Sequence, residues 1–200
     1  MNRRLFLWGL SNGAIVLALA GAFWIGLGIG MTAKHVHWTV TAAGTLIQIG
    51  GVVALMWTAL RLRRRSGFQR AELRHPEGVT EGQRKHLARG MRWTTLAQTL
   101  VVGILVWICV RAGAEHLIWP AIGAAVSLHF APLGRIFHVR AYYAIAIAGT
   151  VISAVAFAAS RTPYGVASFG LAMTIVMWAA SAYVLLNADR IADRACAEVW

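Results

Sequence analysis

Long stretches without a charged side chain divide this sequence, and their lengths are those of membrane-spanning helices. Between Arg4 and Lys34 lie 29 residues without Lys, Arg, Asp or Glu, and between Lys34 and Arg61 lie 26. Four further runs follow: 18 residues from Trp93 to Val110, 19 from His116 to Gly134, 20 from Ala141 to Ser160, and 27 from Thr162 to Ala188. A helix of about 20 apolar residues spans a hydrocarbon core of about 30 Å. Each run is continuously apolar, where the strands of a barrel would alternate and be about half as long. The pattern predicts an all-α polytopic membrane protein, one domain over 1–200 built as a bundle of six transmembrane helices, with spans near 9–31, 40–60, 93–111, 117–134, 141–160 and 166–188.

Composition agrees. Soluble domains carry roughly 25% charged residues, whereas this chain has 13% charged and 58% hydrophobic residues. A single core of this size cannot hide that much apolar surface, so lipid must cover the rest.

The positive charge then sets an orientation, because cytoplasmic loops retain Lys and Arg. With the N-terminus inside, Arg3, Arg4, ten basic residues between Arg61 and Arg92, Arg135, Arg140, Arg190 and Arg194 are cytoplasmic, which is 16 of the 19. Only Lys34, Arg111 and Arg161 fall outside, one per short outer loop. Both termini and the basic 61–92 loop are therefore expected in the cytoplasm of a bacterial cell, with the spans in its inner membrane. The net charge of +12, gathered on one face, fits anionic headgroups, and nucleic acid is not an expected partner. Trp8, Trp57, Trp93, Tyr142 and Tyr143 fall near the inner headgroup level and Trp38, Trp119 and Tyr164 near the outer, as amphipathic rings prefer. Trp24 and Trp178 lie nearer mid-span and are expected between helices.

Arg3-Arg4-Leu5-Phe6-Leu7 resembles a twin-arginine export signal, and Ala18-Leu19-Ala20 offers small residues at cleavage spacing. The apolar run nevertheless continues to Met31, longer than an export signal's apolar region, so the arginines read as an anchor for the first span. Cys109 and Cys196 fall on opposite sides of the bilayer, and no disulfide is expected between them. The second half of the 61–92 loop has a capping-box spacing, Thr80 with Gln83, followed by Leu87 and Met91 among Arg84, Lys85, Arg89 and Arg92. It reads as a basic helix leading into the third span, either a solvated extension or a contact for lipid or a partner.

Candidate chemistry is sparse. No Asp or Glu lies inside a span, which disfavours proton-coupled carriers that rely on a membrane carboxylate. The exception among ionisable groups is His129, in Ser127-Leu128-His129-Phe130-Ala131-Pro132. Pro132 cannot donate to the Leu128 carbonyl, so a kink or helix end is expected beside the imidazole, where a polar ligand could bind. With Ser127, Gln48 and Gln98, His129 defines a candidate solute path; the alternative is that all four tie helices together. Gly9 and Gly13 suit close helix packing, and the cluster Gly26, Gly28 and Gly30 a looser helix near the outer end. His35, His37, Glu115 and His116 on the outer loops are candidates for a divalent metal such as zinc, carried only by a weak His-x-His signal.

His116 and His129 are 13 apart, a spacing similar to that of b-type cytochrome helices, but no other span offers an opposing histidine at matching depth. No cofactor is therefore expected. Serine-hydrolase elbows, zinc-protease helices, phosphate-binding glycine loops and paired membrane carboxylates are absent from the sequence, which leans against an enzyme. The stretch His129-Phe130-Ala131-Pro132-Leu133, with Phe137 and Tyr142-Tyr143, resembles small multi-span bacterial membrane proteins of no assigned activity. The leading expectation is transport or binding of a small solute near His129. The alternatives are a non-transporting accessory or structural protein that contacts lipid or a larger complex, with itself or others as partner, and a metal-binding sensor on the outer face.

Overall fold

The computed structural model describes residues 3–33, 36–67, 81–137, 139–162 and 164–198. Within them the chain forms α1 (Arg3–Thr32), α2 (Trp38–Ser66), α3 (Glu81–Arg111), α4 (Ile118–Phe137), α5 (Arg140–Ala159), α6 (Gly165–Leu186) and α7 (Ala188–Glu198). One turn of 3-10 helix, Glu115–Leu117, precedes α4, and no strand occurs among the described residues. The first six helices are long and apolar enough to cross a membrane, as the run lengths predict: the protein is an all-α helical bundle with a multi-pass membrane pattern.

Several helices overrun their predicted spans where the basic residues lie. Arg is a good helix former, and α2 continues through Arg61, Arg63, Arg64 and Arg65 to Ser66. It stops at Gly67, whose left-handed φ of 62° lets its N–H donate to the Arg64 carbonyl. The basic segment before the third span is continuous with it: α3 begins at Glu81, and Lys85 pairs with Glu81 at 2.8 Å one turn along. Thr80 lies outside the described residues, as do the side chains of Gln83 and Leu87. At 31 residues, α3 is about 46 Å long, more than a hydrocarbon core of about 30 Å requires, and its apolar stretch is Ala88–Arg111. In α4 the helix does not end at Pro132 but runs through it to Phe137.

The sixth span ends differently from expectation. Asn187 leaves the helix, and α7 follows as a separate amphipathic helix. Ala188 and Ala192 are buried against the bundle, while Arg3 donates to Asp189 at 2.6 Å and to Asp193 at 2.9 Å. That pair of ionic contacts fixes α7 to the start of α1 and brings both ends of the described chain together.

Packing divides the six long helices into two groups. In the most apolar stretches of α1, α4, α5 and α6, 39–44% of residues are buried; the figure is 6% in α3 and 0% in α2. The first four form the core, around Trp24, Phe130, Ile145, Phe169, Met173 and Met177. Helix α2 lies on α1 and α6, and α3 lies on α4. Trp24 and Trp178 do sit between helices, Trp24 edge-on to Phe169 at 5.1 Å and Trp178 against Gly21 of α1 and Gly51 of α2.

The tightest seam joins α1 to α6. On α1, Ser11, Ala14, Ala18, Gly21, Ile25 and Gly28 recur at spacings of three and four and are all buried, which makes a nearly flat strip that another backbone can approach. Across it, a Cβ on Gly170 would meet the Trp24 carbonyl, and one on Gly28 would lie 3.1 Å from the Ala167 carbonyl oxygen. Close packing therefore falls on Gly21, Gly28 and Gly170. Gly9 has open space around it, and Gly13 receives the Tyr142 hydroxyl. Nor do Gly26 to Gly30 interrupt α1, which stays helical to Thr32.

Gly170→Leu should force this seam apart at a cost of about 1–3 kcal/mol or more. Gly103→Leu, at a position with nothing within 4 Å, should change stability by no more than about 0.5 kcal/mol. Thermal unfolding in detergent micelles measures the difference.

Candidate functional site

His129 sits 11 residues into α4 from Ile118, about 16 Å along its axis, and hence near mid-span. Its imidazole faces α3. There, Gly90 lies against the Ile136 side chain, and the His129 ring lies near the Thr94 backbone. On α3 the positions least exposed follow one face, through Gly90, Thr94, Gln98, Val102, Leu105 and Cys109, so Gln98 shares the α3–α4 interface with His129. One ring nitrogen of His129, Nδ1, is buried without a hydrogen-bond partner. One residue before it, the exposed Leu128 carries the carbonyl that Pro132 cannot serve.

The other two members of the candidate path lie elsewhere. Ser127 faces away from α3, fully buried against Gly149 of α5, and its Oγ has no partner. Gln48, on α2, donates from Nε2 to the Ala22 carbonyl of α1 at 2.8 Å. The four residues thus occupy three interfaces: α3–α4 for His129 and Gln98, α4–α5 for Ser127, and α1–α2 for Gln48. The fold brings His129 and Gln98 to one seam and does not bring Ser127 or Gln48 to it.

Two buried hydroxyls and an indole on α6 bond across to α1. Thr174 donates to the Gly21 carbonyl at 2.9 Å, Trp178 to Ala18 at 3.0 Å and Ser181 to Ala14 at 3.0 Å. Ser153 and Thr150 bond carbonyls one turn back in α5. A further unpaired hydroxyl, Thr41 Oγ1, lies at the other end of the bundle in a shallow groove lined by Ala33, Val36, Trp38, Thr45 and Leu46.

At that same end, His37 is exposed and its Nδ1 caps α2, lying 2.9 Å from the Thr39 hydroxyl. Glu115 and His116 are exposed on the 3-10 turn between α3 and α4. His35 lies outside the described residues. Among the described residues no three His, Cys, Asp or Glu side chains gather as a metal site would require.

At the basic end, Lys85 is paired with Glu81, and Arg89 and Arg92 are exposed. The side chains of Arg84 and Cys196 lie outside those described. The sequence reading overlooked the last turns of α2. Arg61 stacks over Trp57 with its guanidinium carbon 5.8 Å from the ring centroid, and Arg63 stacks over Trp8 of α1 at 5.6 Å. The signal was present in the spacing: Trp57 and Arg61 stand four apart, the distance at which one helical turn places side chains together.

Comparison with known proteins gives no match to a family model, a curated protein or a solved structure.

His129→Leu removes a half-buried ring with one unpaired nitrogen, and it should change stability by less than about 1 kcal/mol. Gln48→Leu should lose about 0.6 kcal/mol, the typical worth of one interhelical bond in a membrane. Unfolding in detergent reports both. A loss beyond 2 kcal/mol for His129→Leu, on that scale, would show that Nδ1 is bonded in the membrane.

Proposed function

We propose that this chain is a non-transporting accessory protein of the bacterial inner membrane, with N- and C-termini cytoplasmic, that presents α2 and α3 to a larger membrane assembly. The observation that carries this reading is the burial contrast. Four helices account for nearly all of the packed interior, while the apolar stretches of α2 and α3 are 0% and 6% buried. Two helices held by one side leave most of their surfaces for lipid, for another membrane protein or for a second copy. The polar side chains support the same reading, since Gln48, Thr174, Trp178 and Ser181 are committed to α1 carbonyls and act as interhelical glue.

The orientation rests on the distribution of Lys and Arg. The joined ends, Arg3 with Asp189 and Asp193, agree with termini on one side.

A second reading keeps the small solute. It is favoured by the unpaired His129 Nδ1, one residue after the Leu128 carbonyl to which Pro132 cannot donate. An unpaired polar atom at that depth is costly unless something bonds it, and a small polar solute would.

Purification under mild detergent separates the two. The accessory reading expects stoichiometric partner proteins, and cysteines introduced at Ile47 on α2 or Leu100 on α3, both exposed, should crosslink to them. A lone, uncrosslinked chain that carries flux in proteoliposomes, abolished by His129→Ala, would establish the solute reading instead. Labelling of a cysteine at Arg65 from outside intact cells would reverse the orientation.

A further inference from the structure

The two outlying helices carry the same order of side chains along their exposed faces, read in opposite chain directions. On α2, Trp57 is followed by Arg61 one turn later and by Arg64 and Arg65 a turn beyond. On α3, read backwards from Trp93, Arg89 and Lys85 stand at steps of four. All of these residues are exposed. On the membrane side of each tryptophan the face turns aliphatic, with Val53 and Leu46 on α2 and Leu96 and Leu100 on α3 exposed.

Among the described residues the arginines Arg61, Arg64 and Arg65 of α2 have no carboxylate partner. The carboxylates described at this end are Glu81, Asp189 and Asp193, and Lys85 and Arg3 already engage them. Among the described residues Arg61, Arg64 and Arg65 therefore face no carboxylate, yet they crowd into the last two turns of one helix. Such a cluster attracts an anion from outside the chain. Its depth indicates which: Trp38 and Trp57 are 19 residues apart, about 28 Å along the helix, close to the hydrocarbon thickness of about 30 Å. With Trp38 at one boundary, Trp57 marks the other, and the arginines begin one turn beyond it, at the level of lipid phosphates.

We propose that the basic end of α2 is a binding site for the headgroup of an anionic phospholipid. Arg61, Arg64 and Arg65 hold the phosphate, Trp57 lies at the glycerol level, and Val53 and Leu46 lie along the acyl chains. The matching face of α3 is the weaker of the two, because Lys85 is paired with Glu81 at 2.8 Å, so that among the described residues Arg89 is the cation on that stripe without a carboxylate partner. The site does not depend on which protein, if any, docks on the helices.

The test uses the full chain purified in detergent, with phosphatidylglycerol or phosphatidylcholine added and bound lipid counted by native mass spectrometry. Wild type should retain the anionic lipid in preference. Each arginine removed should weaken that retention by about fivefold, the worth of one basic residue near an anionic surface, so the triple variant R61Q/R64Q/R65Q should lose most of the preference. R190Q/R194Q, on α7, should behave as wild type. Trp57→Ala should lower retention of both lipids. A triple variant that remains helical by circular dichroism and keeps wild-type retention of phosphatidylglycerol would overturn the assignment. So would displacement of the lipid by tripolyphosphate at equal phosphate concentration, which would make the surface a site for soluble polyanions. Neither result bears on partner co-purification, so the accessory reading stands or falls separately.

Discussion

Three donors on α6 and one on α2 bond to carbonyls of α1, and the rest of the bundle is arranged around that seam. Thr174, Trp178 and Ser181 reach Gly21, Ala18 and Ala14, and Gln48 reaches Ala22 from the other side. Each of these carbonyls already serves a backbone N–H within α1 and uses its second lone pair for the side chain. The geometry is available only because α1 presents Ala14, Ala18, Gly21 and Gly28 along one strip. In a bilayer, burying apolar area yields little between helices, since lipid tails are as apolar as leucine. Close van der Waals approach and polar bonds must then supply the association, and α1 provides both on one face.

That constraint explains why the six long helices are unequal. The helices α1, α4, α5 and α6 have small residues where they meet: Gly149 receives Ser127, Gly123 receives Phe169, and Gly134 receives Tyr143. Helix α2 is joined to α1 by Gln48 and by Trp178 seated on Gly51, and α3 is joined to α4 around Gly90 and Thr94. Both outlying helices leave their long aliphatic side chains outward, with Leu46 70% and Leu100 64% exposed. The function inferred from the fold lies in this asymmetry. A compact core holds two helices at its edges, where their apolar faces and basic ends are open to lipid and to other membrane components.

The candidate site was only partly legible in advance. His129 is conspicuous in sequence because it is the ionisable side chain inside a span, and its neighbour Gln98 does share its interface. Gln48 and Ser127 look equivalent to Gln98 in composition and depth, yet they face other helices, because the direction a side chain takes depends on the rotation of its helix about its own axis. The α1 strip could have been read from the three-and-four spacing of Ser11, Ala14, Ala18 and Gly21. Gly9 and Gly13 have an equally suggestive four-residue spacing and do not make the seam. Helix α7 was hidden because Asn187 interrupts an otherwise continuous run, and its two small contact residues, Ala188 and Ala192, leave a weak apolar signal.

The sequence by itself determined which segments are long and apolar enough to cross a membrane, and its Lys and Arg distribution is the basis on which an orientation is proposed. These outcomes sum over residues one at a time: the transfer of each side chain into hydrocarbon, and the preference of each Lys and Arg for one side, depend little on neighbours. Only the tertiary structure decided which helices form the core, which polar groups are already bonded and, among the described residues, which cations have no carboxylate partner. Lipid and helix interior are alike to an apolar side chain, so hydropathy says nothing about which face of a span meets another helix. That choice is made by small residues and hydrogen bonds between segments as distant in sequence as Ala14 and Ser181, where shape and pairing decide.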